Sequence, residues 1–407
     1  MLLDRRALLS LSSLALSRLA LPGLAAALAA AAAADSAASI NAATDNAATD
    51  NAVVDAVGRK VRLSPSANRI VLLDAVDVLS MAALHPTPSQ LLVGWAGVDK
   101  FDSDLVRRQY ETRPDGRKIP VIGGQTADTV SVEKLLALEP DLVVATAYME
   151  PGLGDGALAR RLEAAGIPVI FSNAASNRPA GSGVGGDPFS DMASAMRMWG
   201  SILGRRDRAE TYIAFVHERL AGLSARLRDA APTKTYLEVQ STDDDCCWAA
   251  GQRIWGDLLA IAGGRNLSAV SAPWYAKIPI EQLMMEAPAV YIASGGAFGA
   301  GVRPGVGPGL DPAKAEEGLR RLIARTGFGA LPAVRDGRVH GVWTGLLTVP
   351  PLNVLFVEVA AKWLHPEAFR DADPADTLAE LNRRFLATPL PGPCWVSLPA
   401  AQATGKR

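Results

Sequence analysis

Two glutamates, Glu133 and Glu281, occupy the same place in two copies of one segment. Val130–Thr146 reads VSVEKLLALEPDLVVAT and Ile278–Ser294 reads IPIEQLMMEAPAVYIAS, offset by 148 residues (281 − 133). The alignment also pairs Leu135 with Leu283, Pro140 with Pro288 and Ala145 with Ala293. Each glutamate sits just inside the start of a helix pattern, where a carboxylate suits the helix dipole. Two equivalent acidic groups also suit a partner that is itself two-fold symmetric. Glu139 and Glu286 are acidic and nearby, but neither has an acidic counterpart in the other copy.

A second group consists of aromatics in segments that follow strand patterns: Trp95, Tyr148, Trp248, Trp274, Tyr275 and Trp343, with Arg253 and Arg303 as candidate charges. Loops at the carboxyl ends of parallel strands are where such sheets hold ligands. Aromatic faces suit bulky, partly apolar ligands, and arginine pairs with carboxylate or hydroxamate oxygens. For any single tryptophan, packing is the plainer explanation, and Arg253 reads equally as a solvated helix residue; six aromatics on one rim is the stronger signal. The run Asp243–Cys247, DDDCC, reads as a polar loop lip with incidental thiols rather than a metal site or an acid/base pair, because adjacent carboxylates point in different directions. His85, His217, His340 and His365 are scattered, which argues against uptake of bare Zn²⁺ or Mn²⁺.

No G-x-S-x-G elbow, H-E-x-x-H pair, dinucleotide fingerprint or phosphate-loop signature occurs. No catalytic residue, resident metal or cofactor is therefore assigned, and an exported α/β enzyme stands as an alternative only.

The elements needed to position these residues are legible as periodicity. From Val53 onward strand and helix patterns alternate: strand Arg69–Leu73, helix Asp77–Leu84, strands Gln90–Trp95 and Ile119–Ile122, then the first repeat copy. Helix Ala157–Ala165 and strand Pro168–Ser172 follow, and such βα units predict a parallel sheet covered on both faces. Phe189 to about Arg228 reads as one long connecting helix with a possible break at Gly204. A second lobe starts with strand Lys234–Gln240 and helix Ile254–Ala262; helix Glu317–Ala324, strand Arg338–Val342 and helices Leu352–Leu364 and Ala375–Leu386 follow the second copy. The resulting division is 53–186 for the first lobe, 187–230 for the connecting helix, 231–390 for the second lobe and 391–407 for a tail.

Ahead of the first lobe, Arg5-Arg6 and the apolar stretch Ala7–Ala34 read as a signal peptide over residues 1–34, of Sec or twin-arginine type. No cysteine precedes Cys246, so no lipoprotein anchor is expected, and a periplasmic location follows. Residues 35–52 include NAATD-NAATD-NAVVD, a small polar linker that buries no core. The chain of 407 residues balances 41 basic against 42 acidic side chains, which gives no footprint for nucleic acid. Of three cysteines, neighbours Cys246 and Cys247 bridge only with strain, and Cys394 could pair with either.

Taken in order, Asp55, Gly58-Arg59-Lys60-Val61, Pro65 and Arg69-Ile70-Val71, the two repeat copies, Trp248-x-x-Gly251, Leu258-Leu259 and Gly263-Gly264-x-Asn266 resemble the periplasmic binding proteins of metal-chelate ABC importers. The resemblance covers about Val53 to Phe385. It implies two Rossmann-like α/β lobes with central parallel sheets, joined by a long helix, with ligand held in the cleft between them. It further implies a ferric siderophore ahead of haem, cobalamin or an oxyanion such as molybdate, and an inner-membrane permease dimer with its ATPase as partner. By motif position, Glu133 and Glu281 match the family's permease-docking glutamates. A monomer is expected; a receptor-like sensor is the remaining alternative. The Asp243–Cys247 run and the Gly-rich stretch Ala297–Gly309 depart from the family pattern.

Overall fold

Five short apolar runs in the first half pair as one parallel sheet. The computed structural model describes residues 52–63, 67–146, 149, 157–173, 187–299 and 301–399. The expected signal peptide, nearly all of the linker, and Tyr148 lie outside the described residues. A small antiparallel hairpin, β1 (Ala52–Val54) and β2 (Lys60–Arg62), leads in. Then come β3 (Ile70–Leu72), α1 (Asp77–Ala82), β4 (Leu92–Ala96), α2 (Asp104–Tyr110), β5 (Val121–Gly123), α3 (Val132–Ala137), β6 (Leu142–Ala145), α4 (Ala157–Ala164) and β7 (Val169–Phe171). Their order is β5-β4-β3-β6-β7, every pair parallel. All residues of β3, β6 and β7 are buried, which is why these strands read as unbroken apolar runs rather than alternating ones. From β3 the chain moves to β4 on one side; from β6 it moves to β7 on the other. The neighbouring pair β3/β6 is therefore the switch point of the sheet.

The connector is not one long helix. It breaks at Gly204 into α5 (Pro188–Ile202) and α6 (Arg206–Leu227), with Gly204 at φ +63°. Arg197 Nε meets Glu210 Oε1 at 2.7 Å although thirteen residues separate them, so the chain turns back on itself as a helical hairpin. A Cβ on Gly200 would lie 2.8 Å from the Ala209 methyl, and that close approach is what the glycine permits.

The second lobe contains β8 (Thr233–Glu238), β9 (Trp248–Ala250), α7 (Trp255–Ile261), β10 (Gly264–Arg265), β11 (Tyr275–Lys277), α8 (Ile280–Glu286), β12 (Val290–Gly295), α9 (Pro312–Ile323), β13 (Val339–Trp343), α10 (Asn353–Leu364), α11 (Pro374–Arg384) and β14 (Trp395–Ser397). The sheet order is β11-β9-β8-β12-β13-β14, with β10 beside β8. Only β10, β8, β12 and β13 run parallel; β9, β11 and β14 are antiparallel additions. Residues 391–399 are thus not a free tail: β14 closes the sheet edge, and Cys394 beside it is buried.

The repeat is structural as well as sequential. In each copy a short helix is followed by a left-handed residue, Glu139 at φ 45° and Ala287 at φ 46°, and then by a buried parallel strand. One continuous apolar core joins Trp95 and Phe101 of the first lobe, Trp199 of α5, and Trp343 and Phe356 of the second.

Candidate functional site

The first lobe ends its strands in polar residues at the switch point. Asp74 follows β3, Thr146 follows β6 and Ser172 follows β7. Strand alternation places them on the face of Leu72, Val144 and Ile170, which share the core cluster of Trp95. The ladder persists past the strand ends: Leu73 N–H donates to Val144 O at 2.8 Å and Ser172 N–H to Ala145 O at 3.0 Å. Lys100 Nζ pairs with Asp74 Oδ2 at 2.7 Å, and Ser172 Oγ donates to Asp77 Oδ2 at 2.6 Å. Burial, with the Asp74 charge next, pushes the Asp77 carboxyl up to about 8 against the Ser172 bond and the Lys100 charge. Asp77 is therefore mostly the neutral acid at pH 7.

Three buried atoms here have no hydrogen-bond partner: Asp74 Oδ1, Trp95 Nε1 and Thr146 Oγ1. Each such orphan costs about 1–3 kcal/mol. They lie on β4 and just past the ends of its neighbours β3 and β6, at the edge where such sheets hold ligands: an acceptor, a donor and a hydroxyl.

The two lobes meet at Asp102, in left-handed backbone at φ 49°. Its Oδ1 accepts from Phe298 N at 2.8 Å and its Oδ2 pairs with Arg303 Nη1 at 3.3 Å. Its carbonyl accepts from Ala297 N at 2.9 Å and from Trp343 Nε1 at 3.2 Å. Ser103 Oγ donates to Pro308 O at 2.8 Å alongside. A Cβ on Gly296 would stand 2.0–2.2 Å from the Asp102 carboxylate, so this contact requires glycine there.

Several expected rim residues are thereby reassigned. Trp95 is a strand residue only 1% exposed, and Trp343 is fully buried at the lobe junction. Both rings pack in the core, where a large apolar surface is best placed. Arg303 is engaged by Asp102 and by Thr344 Oγ1 at 3.0 Å rather than free for ligand. Arg253 is buried, its backbone N–H donating to Pro273 O at 2.6 Å.

Trp248, Trp274 and Tyr275 do stay at the surface or partly so. Trp248 begins β9 beside the carboxyl end of β8, where Glu238 faces Ala249. Its ring meets Tyr275 edge-on at 5.8 Å, and Tyr275 meets Trp255 at 6.0 Å, so sequence reading missed Trp255 as the third member. Asp245 accepts from Trp248 Nε1 at 2.9 Å and pairs with Lys277, whose Nζ lies 5.8 Å from the Trp248 ring centre. Asp243 pairs with Arg321 at 2.8 Å. The acidic run is thus a set of loop braces.

Glu238, Cys246 and Cys247 bring a carboxylate and two sulfurs within 4.8 Å of one another. All three are occupied: Arg325 holds Glu238 at 2.7 Å, and the two cysteines are bonded to each other, which leaves Cys394 unpaired. His340 stacks on Trp363 at 4.4 Å and His365 meets Gly263 O at 2.9 Å, each in its own place.

The family model for periplasmic binding proteins matches residues 81–342. The chain belongs to the periplasmic binding protein family. No curated protein matches it. Among solved structures, a TroA-like periplasmic binding protein, FepB, from Veillonella parvula is 21% identical, with TM-score 0.71 over 85% of this chain and 99% of that one. The molybdate periplasmic binding protein MolA of Haemophilus influenzae, in its molybdate-bound form, is 18% identical, with TM-score 0.65 over 83% and 98%. A protein of an ABC-type Fe³⁺-hydroxamate transport system from Saccharomonospora viridis is 19% identical, with TM-score 0.55 over 78% and 99%.

As a periplasmic binding protein the chain captures substrate and is not an enzyme; its family places it in the periplasm and with an ABC permease. Among the described residues no helix is long and apolar enough to cross a membrane. Glu133 and Glu281 are each the second residue of their helix, α3 and α8, and both are exposed. The turn behind each carries an exposed apolar residue at the same offset, Leu136 and Met284. Sequence reading missed that pair, although the alignment contained it.

Proposed function

We propose that this protein captures a ferric chelate, a siderophore ahead of haem or cobalamin, and delivers it to a dimeric permease with its ATPase. The observation behind the ligand class is the linked surface of Trp248, Tyr275 and Trp255 at the cleft end of the second sheet. Such a face suits a bulky ligand with apolar arms. The unpartnered polar atoms of Asp74, Trp95 and Thr146 give the first lobe hydrogen-bonding groups for a polar ligand portion. The relative whose name refers to Fe³⁺-hydroxamate transport is consistent with this reading. A bare oxyanion is less well served, because Arg303 is already paired with Asp102.

Titrating tryptophan fluorescence of the mature protein with ferric hydroxamates, ferric catecholates, haem, cobalamin and molybdate tests the ligand class. Quenching by a ferric siderophore, weakened by Trp248→Ala, is expected. No response to any chelate, with a rise in melting temperature on adding molybdate, would overturn it.

For docking, Glu133 with Leu136 and Glu281 with Met284 form two like patches, one per lobe, each pairing a carboxylate with an apolar side chain one turn on. A two-fold permease offers the same surface twice, and this arrangement meets it. Export by a signal peptide over residues 1–34 predicts a mature start between Ala30 and Ala38, read by intact mass of periplasmic protein.

A further inference from the structure

The turn of the helical hairpin opens into a cavity of about 770 Å³ that the cleft does not explain. α1 starts at Asp77, beside the carboxyl ends of β3 and β7, and runs back along the sheet; Leu84 just past its end lines this cavity, which therefore sits at the opposite edge of the first lobe. Its wall holds Arg205, Arg206, Arg208, Arg383 and Arg384 against one carboxylate, Asp207. Two of the arginines have structural work. Arg208 donates to the carbonyls of Ala83, Arg384 and Phe385 at 3.0–3.1 Å, and Arg384 pairs with Glu380 at 2.7 Å.

Arg205, Arg206 and Arg383 are exposed and have no carboxylate partner among the described residues. Exposed arginines without an ion pair occur singly elsewhere, Arg62, Arg108 and Arg335 among them, whereas here three line one cavity. The positive field is felt nearby: His85 is held below its ordinary pKa by burial first and by Arg205 next. The 22-residue helix α6 also begins just after Arg205 with no side chain capping its first turn, so its dipole and first-turn N–H groups add to the same field. Volume in this range holds a small ligand rather than a lone water.

We propose that this cavity is a second binding site, for a phosphate-bearing anion of two or more charges. Guanidinium forks from Arg205, Arg206 and Arg383 would take the phosphate oxygens, and the apolar wall of Leu84, Pro86 and Leu386 would cover a non-polar remainder. The phosphate can belong to a soluble diphosphate or to a phospholipid headgroup, and the test separates the two.

Calorimetric titration of the full chain with pyrophosphate at low ionic strength is run beside sedimentation with phosphatidylcholine vesicles containing cardiolipin, whose headgroup carries two phosphates. Both are repeated with the R206Q/R383Q double variant. Binding of at least one probe is expected, weakened about tenfold or more in the variant, since each lost charge-assisted bond is worth roughly that factor. Pyrophosphate binding identifies a soluble ligand, and vesicle binding alone identifies a headgroup. The variant's melting temperature without ligand and its siderophore quenching should match wild type, which excludes misfolding and cleft effects. R205Q alone should give an intermediate loss. If neither probe binds, or if binding is unchanged in the variant, the site does not exist.

Discussion

Glu133 and Glu281 face solvent in the first turn of equivalent helices, so charge reversal there perturbs little of the fold. The double variant Glu133→Arg with Glu281→Arg should keep ligand affinity and melting temperature near wild type yet abolish uptake in cells. Glu139→Arg is a fair control because Glu139 is exposed. Glu286 is not, although its sequence position suggests it: buried, it accepts from Ala269 N at 2.8 Å and pairs with Lys234 at 3.1 Å. Two buried groups set opposite pH responses. The His340 imidazole is pushed down to about 3, by burial first and by the Arg338 charge second, so the unfolded chain takes up a proton below pH 6.5 while the native chain does not. Stability should therefore fall from pH 6.5 towards 3, and His340→Gln should flatten that slope in thermal melts. Asp77 works the other way: its carboxyl is raised to about 8, so the native state is penalised progressively between pH 4 and 8. The gain in melting temperature from Asp77→Asn should be near zero at pH 4 and greatest above pH 8.

The helical hairpin depends on the close approach at Gly200. Gly200→Leu forces α5 from α6 and should cost about 1–3 kcal/mol in urea unfolding. How legible each element was followed from what built it. β3, β6 and β12 were readable because buried parallel strands need apolar runs such as Ile70–Leu72 and Val290–Ala293. β9, β11 and β14 have three residues each and half-exposed patterns, so neither length nor period marked them. α2 was missed because Asp104–Tyr110 is short and mostly polar, its start fixed by Ser103 Oγ accepting from Val106 N at 3.2 Å. Aromatic type singled out alike Trp248 and Tyr275, which stay at or near the surface, and Trp95 and Trp343, which are buried, since a tryptophan at a strand end looks the same whether it faces a cleft or a core. Asp74, Asp102 and Thr146 gave no signal at all: their significance arises from neighbours distant in sequence.

At the scale of the whole molecule, the lobes share a core and are latched by Asp102. Asp102→Ala removes the acceptor from Phe298 N and leaves the half-buried Arg303 without its counter-charge, a loss on the order of 3 kcal/mol. Urea unfolding should show it, and limited proteolysis should cut the Gly296–Gly309 loop faster. The sheets also differ in how they are assembled from the chain. β3 to β7 lie within residues 70–171 in unbroken succession, whereas β13 waits for β14, with three helices made in between. A polypeptide synthesised amino end first can thus close its first sheet early. The second sheet stays open at one edge until Trp395–Ser397 has been made. During that interval the unpaired edge of β13 is the segment most exposed to chaperones, proteases and wrong partners.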